Sequence, residues 1–150
     1  MSWNIQIPPA EWFSREDTSA LEMLERELLD TPTIAIDTET TGLDVWDNRS
    51  KDVPLFWSIS WKSADGYDRR ACLPADTLHL FASVFSQHRV RSTPRRWVLA
   101  NAKFDMHMLA NHGISLQGQM VDVSVMHALL YEERPHGLKS MASELLGWRW

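Results

Sequence analysis

Ile34-Ala35-Ile36-Asp37-Thr38-Glu39-Thr40-Thr41-Gly42-Leu43-Asp44 is a short apolar run that ends in two carboxylates and then meets a glycine. The β-branched residues from Ile34 to Ile36 suit a buried strand, and Gly42 suits the turn after it. Asp37 and Glu39 lie two apart, so an extended chain directs both to the same side. Two acids held together repel each other unless a cation lies between them, and hard oxygen ligands of this kind suit Mg²⁺ or Mn²⁺. A polar loop with an Asp or Thr helix cap is written in the same letters, so the pattern alone leaves both readings open.

Two further blocks bear on the choice. One is Trp97-Val98-Leu99-Ala100-Asn101-Ala102-Lys103-Phe104-Asp105-Met106-His107-Met108-Leu109, in which an Asn precedes an Asp by four. The other runs from Val121-Asp122 to Leu130 and resumes at His136-Gly137-Leu138-Lys139-Ser140-Met141-Ala142. Together with Asp37-Thr38-Glu39-Thr40-Thr41-Gly42-Leu43-Asp44 they resemble, in order and separation, the motifs of the 3′–5′ proofreading exonucleases of the DNA polymerase I type. That group belongs to the DEDD superfamily, which has a ribonuclease H-like fold. The resemblance covers the chain from about residue 22 to residue 146.

The resemblance implies an α/β fold with a mixed five-stranded sheet, three antiparallel strands followed by two parallel ones, flanked by helices. It implies a two-metal site of Mg²⁺ or Mn²⁺. Asp37 would bridge both ions, Glu39 would hold the ion on the nucleophile side, and Asp105 would hold the second ion through water. Thr38 and Leu43 match positions beside the terminal nucleotide, with Leu43 as a wedge against its base, and Asn101 matches a substrate-contacting Asn. Each residue has a plainer reading. Asp105 also suits a helix N-terminus through the dipole, Leu43 a core or turn-packing leucine and Asn101 a loop. Asp122 precedes a helix and is read as an N-cap, because the polymerase I pattern does not use it as a ligand.

The chain departs from the pattern at its third motif. No tyrosine is followed four residues later by aspartate: Tyr67 leads to Ala71 and Tyr131 to Pro135. Residues 1–150 therefore read as one exonuclease domain that lacks its C-terminal part, with apolar surface left bare where that part would pack. The expected activity is metal-dependent hydrolysis at single-stranded or frayed DNA 3′ ends, weak in the isolated chain unless a polymerase chain or fragment completes the domain. Two other readings stand beside it: a non-catalytic module that grips single-stranded DNA or docks on a polymerase, and an exoribonuclease of the ribonuclease D type.

Composition agrees with a single domain. The chain is 44% hydrophobic and 23% charged, with a net charge of −5 that argues against a general nucleic-acid coat. Residues 1–50 hold 3 basic and 11 acidic side chains, and the other hundred hold 12 and 9. The acidity thus concentrates near the proposed metal site, while Arg89, Arg91, Arg95 and Arg96 form a basic loop. That loop reads better as solvated than as a phosphate contact. The six histidines show no metal-ligand spacing with cysteine, which makes zinc a poor fit. Cys72 is the only cysteine, which suits a reducing cytoplasm, of a bacterium or a phage-infected host. The N-terminal residues lack the basic and apolar pattern of a signal peptide, and no stretch approaches the ~20 apolar residues of a membrane span.

Periodicity supplies the elements. A short strand is expected at Asn4 to Ile7. Leu21, Leu24, Leu28 and Leu29 predict a helix over 19–29, opened by a Ser19–Glu22 capping box and ended before Pro32. Strands are expected at 33–37, 55–61 and 67–73, with Asp65-Gly66 as the hairpin turn. A helix capped by Asp76 follows over 77–88, then a strand at 96–100, a helix at 103–112, a strand at 119–122 and a helix at 123–132. A last helix is expected over 138–146, with Leu138, Met141, Ala142, Leu145 and Leu146 facing inward and Gly147 just beyond its end.

Overall fold

The structure, a computed structural model, describes residues 9–47, 49 and 51–148. The strand expected at Asn4 to Ile7 lies outside these residues. The described residues begin with a two-residue strand, β1 (Glu11–Trp12), followed by helix α1 (Thr18–Leu29) and strands β2 (Thr33–Thr40), β3 (Pro54–Lys62) and β4 (Asp68–Pro74). A 3₁₀ turn (Ala75–Phe81) leads into the short α2 (Ala82–Phe85) and a small hairpin of β5 (Arg89–Val90) and β6 (Thr93–Pro94). Strand β7 (Arg96–Leu99), helix α3 (Ala102–Asn111), strand β8 (Gln119–Asp122) and helices α4 (Val123–Leu130) and α5 (Leu138–Leu146) complete it. No helix among the described residues is long and apolar enough to cross a membrane.

The main sheet has the order β1-β4-β3-β2-β7-β8. β2, β3 and β4 form an antiparallel meander, and β7 and β8 run parallel to β2. These are the five expected strands in the expected directions. β1 adds a sixth, parallel to β4; two residues are too short to carry a period-2 signal.

One face of the sheet carries the core. Ile34 and Ile36 of β2, Trp57, Ile59 and Trp61 of β3, Leu73 of β4, and Trp97 and Leu99 of β7 pack there against Leu21, Leu24 and Leu28 of α1, Phe81 and Phe85, and Leu109 of α3. Fully burying a side chain of this size contributes about 1.5–3 kcal/mol. The three core indoles each place their N–H: Trp57 donates to Thr77 Oγ1 at 3.0 Å, Trp61 to Glu27 Oε1 at 2.8 Å and Trp97 to the Gln117 carbonyl at 2.9 Å. The opposite face, with Ala35, Asp37, Ser58, Arg70, Cys72 and Val98, lines an open groove of about 460 Å³.

Four local expectations are corrected. Helix α1 starts at Thr18 without a capping box, because Asp17 takes the N-cap position and its carboxylate accepts from the Ser14 N–H at 2.7 Å instead. The helix expected over 77–88 is a 3₁₀ turn up to Phe81 and α-helical only over Ala82–Phe85. The Thr77 hydroxyl donates to the Pro74 carbonyl at 2.7 Å, a local bond that competes with regular helix. Asp76 caps nothing there and faces Arg15 across 3.6 Å at the surface.

The basic loop is a hairpin, and Arg95 is fully buried rather than solvated. Its guanidinium donates to the carbonyls of Leu28 at 2.8 Å and Thr31 at 2.6 Å just past the end of α1, where the Leu28 carbonyl also accepts from the Thr31 N–H. In α5, Met141 and Ala142 are buried, but Leu138, Leu145 and Leu146 are exposed. With Val125, Met126, Leu129 and Leu130 of α4 they form a bare apolar surface among the described residues.

Candidate active site

The parallel strands β2, β7 and β8 finish at one edge of the sheet, where ligand sites of α/β folds occur. Beyond Ala35, β2 has no further pairing to β7. The edge of β2 from Asp37 to Glu39 is therefore open toward α3, which leaves β7 at that point. Asp105, on the first turn of α3, fills the gap. Its Oδ1 accepts from the Thr38 backbone N–H at 2.9 Å and from the Thr38 hydroxyl at 2.6 Å. Both residues are buried. Asp105 is thus tied to the residue between Asp37 and Glu39, and is far from a mere dipole partner at a helix start.

The electrostatics follow from that packing. The Asp37 carboxyl is pushed up to about 6, first by burial and then by the charges of Asp105 and Glu39. Burial also raises Asp105, partly offset by the two bonds from Thr38. Three acids share one region, and burial with these neighbouring charges disfavours the charged forms of Asp37 and Asp105.

Among the described residues no three His, Cys, Asp or Glu side chains are already gathered into a metal-holding cluster. Asp105 turns its carboxylate to Thr38, as mutual repulsion favours. The donor set is nonetheless one of hard oxygens with unneutralised charge, which fits Mg²⁺ or Mn²⁺ and not a soft metal.

Helix α3 is positioned from below by Asp122, at the end of β8. Its carboxylate accepts from the N–H groups of Ser124 at 2.9 Å and Val125 at 3.2 Å, the expected cap of α4. It also accepts from Ala102 at 2.8 Å and Asn101 at 3.3 Å. One side chain therefore caps two helices, the second of which carries Asp105. The α4 cap was legible in the sequence; the α3 contact depends on β8 lying beside β7.

Asn101 stands at the N-cap of α3 in the left-handed region, φ 62°, a conformation Asn tolerates better than most residues. Its backbone requirement is a second reason for the residue type, and its side chain is exposed.

The loop after β2 is organised by Asp52, which sequence reasoning passed over. Its carboxylate accepts from the Asp44 N–H at 2.9 Å and the Thr41 hydroxyl at 3.2 Å. A Cβ on Gly42 would lie 2.4 Å from Asp52 Oδ2. Gly42 is thus required by this close approach and not by an unusual φ. Leu43 projects from the loop and is 79% exposed, so it is no core leucine. Val45 is buried, with its carbonyl bonded to Asn111 Nδ2 of α3 at 3.1 Å.

Comparison with known proteins agrees with this architecture. Brucella melitensis NrnC superposes with a TM-score of 0.64 at 16% identity, covering 93% of this chain and 61% of that one; NrnC has also been solved with bound Mg²⁺ and, separately, bound to pGG. Escherichia coli RNase D, an exoribonuclease involved in structured RNA processing, gives 0.66 at 21% identity, with 95% and 35% covered. Pol1 from M. smegmatis, in complex with DNA primer-template and dNTP, gives 0.67 at 20%, with 93% and 23% covered. The chain therefore spans about three-fifths of NrnC and a smaller share of the other two. Likenesses at these identities speak for the fold alone. No curated protein matches the chain by sequence. The profile of the 3′–5′ exonucleases matches residues 13–149, and the chain, with its ribonuclease H-like sheet and DEDD-type structural neighbours, belongs to that family.

Proposed function

We propose that this chain hydrolyses the terminal phosphodiester of single-stranded or frayed DNA 3′ ends, as a proofreading exonuclease does, with Asp37, Glu39 and Asp105 holding two Mg²⁺ or Mn²⁺ ions. The observation that carries the reading is the docking of the Asp105 carboxylate on Thr38, between the two acids of β2. When bound, the two ions supply an activated water and stabilise the leaving oxygen of an in-line displacement. The protein supplies the frame. Thr38 fixes Asp105, and Asp122 fixes the start of α3. Asp52 holds the loop that presents Leu43, whose exposed side chain suits a wedge against a terminal base. Asn101, at the start of α3, suits a contact to the terminal nucleotide.

The sequence holds no Tyr-x-x-x-Asp pair, so nuclease activity of the isolated chain would be weak or absent, and a partner chain with a further carboxylate would raise it. A reducing cytoplasm suits the lone cysteine. The test is Mn²⁺-dependent shortening of a 5′-labelled DNA oligomer. Ladder formation that Asp37→Ala abolishes supports the reading. Tight binding of the oligomer with no cleavage under any divalent ion favours a non-catalytic single-strand module, and preferential shortening of the RNA oligomer of the same sequence favours a ribonuclease D-type activity.

A further inference from the structure

We propose that Trp46, with Lys103 and His107, forms a stacking site for a base of the substrate strand a few nucleotides inward from its 3′ end. The proposal rests on the nuclease reading above and deepens it.

The core uses Trp57, Trp61 and Trp97. Trp46 lies outside it and is 58% exposed. Its ring is nevertheless held. The residue before it, Val45, is buried and bonded through its carbonyl to Asn111 of α3. The His107 ring stands edge-on to the indole at 4.8 Å, with 66° between the planes. The Lys103 ammonium lies 5.0 Å from the centroid of the indole.

Lys103 and His107 are four residues apart on α3, so they share one face of that helix. Asp105, between them, faces the other way, into the buried contact with Thr38. The same helix thus presents an acid to the proposed metal site and a cation with an imidazole to the indole outside it.

The chemistry of a strand's backbone explains why a cation belongs here. Residues 1–50 carry 3 basic against 11 acidic side chains, so a polyanion approaching Asp37 and Glu39 meets repulsion. Among the described residues no carboxylate forms an ion pair with Lys103, which leaves its charge for a phosphate. An aromatic ring beside a positive charge is the usual means of gripping single strands, because every base has a π-face. Leu43 and Trp46 are three residues apart, at most about 10 Å of extended chain. A strand whose terminal base meets Leu43 therefore reaches Trp46 within its first few nucleotides.

The experiment measures binding of dTMP, a thymidine hexanucleotide and a uridine hexanucleotide in Ca²⁺ buffer, to the wild-type chain and to Trp46→Ala, Trp46→Phe and Lys103→Gln. Loss of one base–aromatic stack predicts that Trp46→Ala weakens hexanucleotide binding about 5- to 100-fold and leaves dTMP binding unchanged. Trp46→Phe recovers most of the loss. Lys103→Gln lowers the slope of log affinity against log salt by about 0.7, the value for one phosphate contact on a single strand. A uridine hexanucleotide that behaves the same way, or binds more tightly, supports the stacking site and moves the substrate toward RNA. Folded Trp46→Ala that binds the hexanucleotides as the wild type does, or that loses dTMP and hexanucleotide equally, overturns the proposal alone. A wild-type chain that binds none of the three and releases no nucleotide with Mn²⁺ overturns the nuclease reading beneath it.

Discussion

Replacing Asp37 by Asn is expected to make the metal-free protein more stable. Burial, Asp105 and Glu39 together hold the Asp37 carboxyl at about 6, against 3.8 for an unperturbed aspartate. The folded state therefore binds this proton more tightly than the unfolded state does. Stability falls as pH rises from about 4 to about 6, and the cost is fully present at pH 7.5. Roughly two pH units correspond to about 3 kcal/mol at most. Asp37 is only half-buried, and solvent screening reduces this to about 1 kcal/mol. Asparagine carries no charge at any of these pH values. Asp37→Asn should therefore gain about 1 kcal/mol at pH 7.5 in EDTA, seen as a rise of about 3 °C in Tm, and the gain should shrink toward zero near pH 4.

Urea unfolding at the two pH values reads this directly. A variant no more stable than wild type at pH 7.5, or one whose advantage persists undiminished at pH 4, refutes the assignment of strain to this carboxylate. Adding Mn²⁺ should reverse the order. A ligand at ten times its Kd stabilises the state that binds it by about 1.4 kcal/mol, and only the wild-type chain keeps all three of Asp37, Glu39 and Asp105.

Other perturbations test the frame. Arg95→Ala should cost about 3 kcal/mol in urea unfolding, since it leaves a cavity, strips the Leu28 carbonyl of one of its bonds and leaves the Thr31 carbonyl without this donor; Arg95→Lys should recover little, because one ammonium does not reproduce the fork. Asp122→Ala removes caps from two helices and should cost about 2 kcal/mol, while Asp122→Asn, with a single acceptor oxygen, should lose about half of that. Thr38→Val removes the 2.6 Å hydroxyl bond to Asp105 and so raises the Asp105 carboxyl further. Nuclease activity should fall about tenfold with its acid limb moved to higher pH, as a pH–rate profile will show, and Thr38→Ser should restore both. Gly42→Ala should cost about 1–2 kcal/mol by forcing Asp52 away from the loop, read as a lower thermal midpoint.

Much of the fold was legible because its signals are local. The leucine spacing of α1, the β-branched and aromatic runs of β2 and β3, and the Asp65-Gly66 turn each specify an element without reference to the rest. The strand directions came from the resemblance carried by three blocks in order. What escaped was set by tertiary contact. Arg95 looks like one more charge in a basic loop until the end of α1 brings the Leu28 and Thr31 carbonyls beside it. Thr77 breaks a predicted helix because Pro74 and Trp57 both engage its hydroxyl. The inward face expected of α5 is only partly covered, since nothing in its own periodicity says what lies opposite. At the candidate site, spacing and resemblance nominate Asp37, Thr38, Glu39 and Asp105. The Asp105–Thr38 bonds could not, because they form only where β7 ends and leaves the edge of β2 open.

That open edge also explains how the acids come to share one region. Carboxylates do not assemble by attraction, so something neutral must hold them. Here the Thr38 N–H and hydroxyl hold Asp105, and the N–H groups of Asn101 and Ala102, anchored on Asp122, hold the helix that bears it. The carboxyls of Asp37 and Asp105 are raised first by burial, and the charges of the neighbouring acids add to it. A divalent cation held by these carboxylates would offset the charge among them, so the cost of the raised carboxyls and the proposed affinity for a divalent ion are expected to share part of their origin. Substitutions that relax the first should weaken the second in proportion, with Asp37→Asn at one extreme and Thr38→Ser, which keeps the frame and the charges, leaving both unchanged.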